Sequence, residues 1–447
     1  MTRLALPIVL AQVGLLMMGV VDTLMMGRVS AEALAGVALG NLYFVTLTIP
    51  STGTLMVLDP LVAQAAGAGD AKRIALGVQR GMVLALALTI VTSIVLWPVH
   101  GMLVLLRQPA TLVELATPYV RISILGVAPF LAFVVLRQSL QALHDVRALL
   151  VAVLVGNLVN AGLNWVFVYG HLGSPAMGVP GSAWATCLSR WTMVLLLCAG
   201  GWRTLRPSLV PWKRDSARIA PLLEMLRLGA PIGFQQALEI GVFSAIGVLM
   251  GILGTREMAA HQIALNLASL TFMVPLGVGA AAAVRVGHAA GEGNAESVRE
   301  RAQTALVCGV GFMMCAGVVL LIAPGAIASL YTTNVSVAVL AASLIPIAGV
   351  FQVFDGVQAV SAGVLRGLGD TRAPFLINLA GFWLVGFPVS VILGFFTPLG
   401  ALGLWWGLVA GLVVVAFLLL GRMRSRLHLP IERTTLESDV VRLATER

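Results

Sequence analysis

Along most of this chain, apolar residues run on for twenty or more positions before a polar cluster interrupts them. Neither the two-residue alternation of a half-buried strand nor the polar stripe of a soluble amphipathic helix breaks up these runs. At about 1.5 Å of rise per residue, such a run crosses roughly 30 Å of hydrocarbon as a helix. In lipid every backbone polar group must be satisfied within the segment, so helices are required. The pattern predicts twelve spans, near 4–26, 33–57, 74–98, 116–141, 146–170, 180–202, 229–253, 258–283, 302–330, 338–364, 372–396 and 398–421. A barrel would show alternating segments of about ten residues, and there are none.

The two halves repeat one another at an offset of 224 or 225 residues. Ala5-Leu6-Pro7-Ile8 returns as Gly229-Ala230-Pro231-Ile232, AQAAGAGDA (63–71) as GHAAGEGNA (287–295), and LHDVRA (143–148) as LGDTRA (368–373). Six spans per copy is an even number, so both copies cross the membrane in the same sense. The expected fold class is therefore an all-α polytopic membrane protein, with twelve transmembrane helices in two parallel-repeat six-helix lobes. The expected divisions are an N-terminal lobe over 1–202, a charged, proline-bearing cytoplasmic linker over 203–227, a C-terminal lobe over 228–421 and a cytoplasmic tail over 422–447.

Composition agrees: 59% of the 447 residues are hydrophobic and 11% charged, against about 25% charged in soluble domains. The net charge of +9 could suggest a nucleic-acid partner, but the basic residues sit in short loops. With the N-terminus inside, 23 of the 28 Lys and Arg residues fall on the cytoplasmic side, which predicts that both termini are cytoplasmic and removes the need for nucleic acid. The four cysteines lie in apolar spans without metal-ligand spacing, and no cofactor is implied.

Against this background, acids inside spans stand out. A charge at mid-membrane costs at least roughly 2.5–3.5 kcal/mol, so such residues usually serve a site or a pathway. Asp22, Glu239 and Asp355 sit well within spans, and the repeat places Ile246, Leu15 and Phe130 opposite them, so the fold itself needs no acid there. Glu239 and Asp355 fall about ten and nine residues from the cytoplasmic ends of their spans, roughly 14 Å deep at one level. Two carboxylates at one depth can share a cation or a proton. In GNLVNAGLNW (156–165), Asn157, Asn160 and Asn164 follow helical spacing, with Asn160 and Asn164 on one face. They either tie helices together or form a supporting polar network for Asp22. Arg190, the one basic residue deep in a span, is either a counter-ion for Asp22 or a satisfied interior residue.

The stretches GVVDTLMMG (19–27), NAGLNWVFVYG (160–170), LEIGVFS (238–244), AHQIALNLASLTFMVPLGVGAAAAVRVGH (260–288) and FQVFDGVQAVSAGVLRG (351–367) resemble the multidrug and toxic compound extrusion (MATE) transporters, in their NorM-type bacterial branch. The resemblance runs over nearly the whole length. It implies a V-shaped pair of lobes in a bacterial inner membrane, exporting amphipathic, often cationic organic compounds in exchange for Na⁺ or H⁺. Glu239 and Asp355 match the family's cation-site acids, a place for Na⁺ or H⁺, and Asp22, Asn160 and Asn164 match its polar cluster. Phe351, Gln352, Gln262 and Asn266 are further expected to line the site. Where well-known NorM-type members carry Tyr, this chain has Phe351, so a hydroxyl that would help hold sodium is missing. Expected partners are small organic cations and membrane lipids, with a monomeric chain. The rival readings are a lipid or lipid-linked oligosaccharide flippase, which would carry a basic cavity, and a membrane-embedded prenyltransferase, whose metal-binding motif is lacking here.

Overall fold

The computed structural model describes residues 2–430, 433, 434 and 436. Span-length helices run in chain order: α1 Thr2–Gly27, α2 Ala31–Leu55, α3 Ala71–Leu96, α4 in two pieces (Ala110–Ile124 and Val127–Ala142), α5 Arg147–Tyr169, α6 Val179–Gly200, α7 Ile219–Leu253, α8 Thr255–Glu292, α9 Ala295–Ile322, α10 Val335–Gly367, α11 Arg372–Phe395 and α12 Ala401–His428. Eleven are long and apolar enough individually to cross a membrane, and the bent pair α4 makes up to twelve. The protein is all-helical among the described residues. Helix α12 continues to His428, so the first residues of the expected tail 422–447 are helical; most of that tail lies outside the described residues.

The repeat is visible in the backbone as well as in the letters. Asp70 caps α3 by accepting from the Arg73 amide at 2.9 Å, and Asn294 caps α9 by accepting from the Ser297 amide at 2.9 Å. Gly178 before α6 and Gly400 before α12 share one backbone conformation, with φ 59° and 52° and ψ −123° in both. Only glycine holds that geometry without strain. Asp145 accepts from Thr204 at 2.7 Å, while its repeat mate Asp370 pairs with Arg422 at 2.8 Å.

The copies also differ. Helix α10 is continuous, but its counterpart α4 bends by 52° around Leu125–Gly126. A side chain at Gly126 would press on the Arg190 guanidinium, 3.3 Å away, so the break makes room for a buried cation. Pro324 separates the short helix Pro324–Tyr331 from α9, which ends at Ile322 instead of continuing to residue 330. Within α11 the backbone widens to a π-helix over Leu379–Gly386, and such widenings often accompany functional sites.

The contacts group the chain into two compact units. One contains Leu10–Gly233; the other contains α1 up to Val9 together with Phe234–Thr434. Both boundaries fall inside helices, not in the segment 203–227. Gly229 and Gly233 at the start of α7 pack on Thr54 and Pro50 of α2, and in the other unit Val9 of α1 packs on Gly277 of α8. The first part of the linker belongs to the N-terminal unit. The Gln79 amide of α3 donates to Ser208 O (2.9 Å) and Pro211 O (3.0 Å), and its oxygen accepts from the Lys213 amide at 2.9 Å.

With no solvophobic drive between helices in lipid, close backbone approach supplies the packing. At the α11–α12 crossing, a methyl group on Gly407 would collide with the Ser390 backbone, whereas one on Gly421 would meet nothing within 4 Å. Gly407→Ala should therefore destabilise the detergent-solubilised protein by about 1–3 kcal/mol. Gly421→Ala should leave its thermal melting curve unchanged, and the two curves compared side by side check the crossing.

Candidate functional site

Each unit carries its own buried acidic locus. In the N-terminal unit, α1 delivers Asp22, which is 7% exposed. From α5, Asn164 donates its amide to Asp22 Oδ1 at 2.6 Å; from α6, the Thr186 hydroxyl donates to Oδ2 at 3.0 Å. Asn160 in turn donates to Thr186 Oγ1 at 3.4 Å, and Asn164 also reaches Asn160 O at 3.0 Å. Asn160 and Asn164 are both fully buried, and neither side-chain carbonyl oxygen has a protein partner among the described residues. Their spacing on one face of α5 is what brings both to the carboxylate.

Asn157 is not part of this network, although it shares the helical spacing. Its amide donates to Gly14 O at 2.9 Å and to Val153 O at 2.8 Å, tying α5 to α1 about two turns away from the acid. Arg190 packs over the rings of both Phe44 and Phe130, 4.5 and 4.8 Å from their centroids. Such stacking stabilises a guanidinium removed from water. Its charge also acts on Asp22 through the field, without a direct ion pair among the described residues.

In the C-terminal unit, α7 supplies Glu239, which is half-buried, and α10 supplies Asp355, which is 6% exposed. The Gln358 side chain lies near Glu239, and its amide donates to Asn378 Oδ1 of α11 at 3.0 Å. Asn378 is held by its own donation to Pro374 O at 2.8 Å. Trp383, inside the π-helical stretch, donates to Leu238 O at 3.1 Å and so braces the turn that carries Glu239. Asp355 feels the charge of Glu239. The spacing along two separate helices thus converges on one pair of acids.

The expected lining residues divide. Phe351 is buried and meets Phe243 edge-on, with centroids 5.8 Å apart. Gln352 is fully buried, and neither amide atom has a protein partner among the described residues. Gln262 and Asn266 instead lie on an exposed face of α8, where Asn266 accepts from the Tyr331 hydroxyl at 3.2 Å. The residue that α8 turns inward is their neighbour, His261. Sequence reasoning also missed Thr186, Gln358 and Asn378. Gln358 and Asn378 carried a usable signal, being amides inside apolar spans; a lone Thr carries almost none.

What the arrangement can do is accept positive charge. Carboxylates with amide oxygens at hand suit a hard cation or a proton. No cluster of three or more His, Cys, Asp or Glu that could hold a metal ion occurs among the described residues. The family model MatE matches residues 7–166 and 231–392, one block in each repeat. The chain belongs to the MatE family. A "Probable multidrug resistance protein NorM" of Mesorhizobium japonicum is 40% identical, over 95% of this chain and 92% of that protein. A "Multidrug resistance protein NorM" of Burkholderia vietnamiensis is 39% identical, over 96% and 93%. Among solved structures, the eukaryotic MATE transporter AtDTX14 superposes with a TM-score of 0.86 at 23% identity, covering 95% of this chain and 98% of that one. An outward-facing MATE family transporter gives 0.85 at 20% identity, covering 95% of each. The MatE fold therefore spans nearly the whole chain, and the protein is a multi-pass membrane transporter, not an enzyme.

The contrast between Asn164 and Asn157 can be read spectroscopically. The infrared carboxyl band that disappears in Asp22→Asn should shift in Asn164→Ala and stay in place in Asn157→Ala. Equal shifts in both would show that Asn157 also touches the acid.

Proposed function

We propose that this MatE protein is a secondary active multidrug exporter of a bacterial inner membrane, with both termini cytoplasmic, which exchanges amphipathic organic cations for inward-moving Na⁺ or H⁺. One observation carries the reading: two helices of one unit, α7 and α10, each carry a carboxylate in an otherwise apolar span, with Asp355 within range of the Glu239 charge. Burying a charge without compensation is costly, and two like charges raise the cost. A cation or proton bound between them removes it. Binding there favours the state that holds the neutralised pair, and an organic cation competes for the opposite state. Coupling requires only this difference in affinity between states.

The loop asymmetry of Lys and Arg supports the orientation. The names of the NorM relatives support the substrate class. Asp22, with Asn164 and Thr186 on its two oxygens, is a second point where a cation can neutralise a carboxylate.

In proteoliposomes, ethidium efflux driven by one imposed gradient, sodium or proton, should fall at least about tenfold in Asp355→Asn and Glu239→Gln. Asp22→Asn should lower it as well. Wild-type rates in both Asp355→Asn and Glu239→Gln under either gradient would refute the coupling role of the pair.

A further inference from the structure

We propose that the C-terminal unit holds a water molecule at a station built from His261, Trp405 and Gly247, through which the carboxylate pair exchanges its coupling ion with the outer end of the unit. This rests on the reading of Glu239 and Asp355 as ion-coupled acids and of the α7 C-terminus as the outer end.

The stations follow from helix geometry. On α7, Glu239, Phe243 and Gly247 fall at four-residue intervals along one stripe, each about 6 Å beyond the last. Helix α10 runs the opposite way, so Phe351 lies one turn outward of Asp355. Phe243 and Phe351 meet edge-on at 5.8 Å, and Phe382 of α11 closes on Phe243 at 6.4 Å. An aromatic barrier therefore stands one turn outward of the acids. Beyond it, Trp405 of α12 meets Phe351 at 6.1 Å and His261 of α8 at 5.8 Å.

His261 and Trp405 are fully buried, yet neither imidazole nitrogen nor the indole N–H has a protein partner among the described residues. Buried polar groups in folded proteins are almost always satisfied, by protein or by ordered water. Gly247 leaves the room: a side-chain carbon there would have only His261 Nε2 within 4 Å, at 3.8 Å. The three residues thus combine an open space with polar atoms that need a partner.

The donor set names the occupant. An indole N–H only donates, a neutral imidazole offers one donor and one acceptor, and no carboxylate belongs to the station. Water can accept from Trp405 and bond His261, and its remaining lone pair can meet a passing proton or sodium ion, whereas the side chains alone offer a resident sodium ion no oxygen ligand. Inward of Phe351, the unpartnered Gln352 amide, three residues from Asp355 on α10, provides the next polar group toward the acids.

The full chain in proteoliposomes, loaded with ethidium and driven by the gradient that works for wild type, tests this. Gly247→Ala fills the space at ordinary contact distance, and His261→Leu removes the nitrogens. Both should slow ion-driven efflux about tenfold while the ethidium Kd in detergent stays within about twofold, and His261→Asn should recover much of the rate. High-resolution density should place a water about 3 Å from a His261 nitrogen and from Trp405 Nε1. Wild-type rates in both Gly247→Ala and His261→Leu overturn the station, as does a rate loss matched by lost ethidium binding. Direct protein partners at these nitrogens, with no water between, overturn it too. Asp355→Asn is run alongside: wild-type efflux there defeats the coupling reading itself, whereas a dead Asp355→Asn beside an unaffected Gly247→Ala defeats the station alone.

Discussion

Holding carboxylates in a low-dielectric interior is the constraint around which each unit is organised. At roughly 2.5–3.5 kcal/mol or more per charge, Asp22, Glu239 and Asp355 would destabilise bare helices in lipid. The two units offset that cost differently. Around Asp22, two donated hydrogen bonds and the field of Arg190 stabilise the charged form, and the Arg itself packs over Phe44 and Phe130. Around Glu239 and Asp355 no buried cation answers among the described residues; the Gln358 side chain lies near Glu239, and Asp355 is within range of the Glu239 charge. The first locus is partly satisfied by the protein, and the second is left more fully to a mobile charge.

Duplication supplies the scaffold for this division. The caps at Asp70 and Asn294 and the turns at Gly178 and Gly400 repeat the backbone from one copy to the other. The chemistry does not repeat. The bend at Leu125–Gly126 that admits Arg190 has no match in the continuous α10, and the π-helical stretch that brings Phe382 and Trp383 beside α7 has none in α5. Local departures from the shared skeleton mark the places where polar side chains are positioned.

Much of this was legible in the sequence. Span positions follow from apolar run length, and the acids stand out because nothing else in those runs carries charge. Asn160 and Asn164 were legible as partners because a four-residue spacing puts both on one face. The same spacing misled for Asn157, since a helix face says which way a side chain points but not which neighbour fills the space. Gln262 and Asn266 were expected to line the site; α8 buries their neighbour His261 and leaves both amides exposed. Contacts between helices distant in sequence, such as Thr186 with Asp22 or Gln358 with Asn378, depend on crossing geometry, which periodicity does not encode. Nor did composition reveal that the unit boundaries fall within α1 and α7, because a continuous apolar helix shows no seam.

The central claim is that Glu239 and Asp355 take up the coupling ion together, in competition with an organic cation. The direct test is ion binding to the detergent-solubilised protein at equilibrium, using radioactive sodium and, separately, proton release on addition of ethidium. The account predicts that one of the two ions is bound by the resting protein, is released when ethidium binds, and is no longer bound in Asp355→Asn. Ethidium binding that releases neither ion, or release that persists undiminished in both Asp355→Asn and Glu239→Gln, would contradict it.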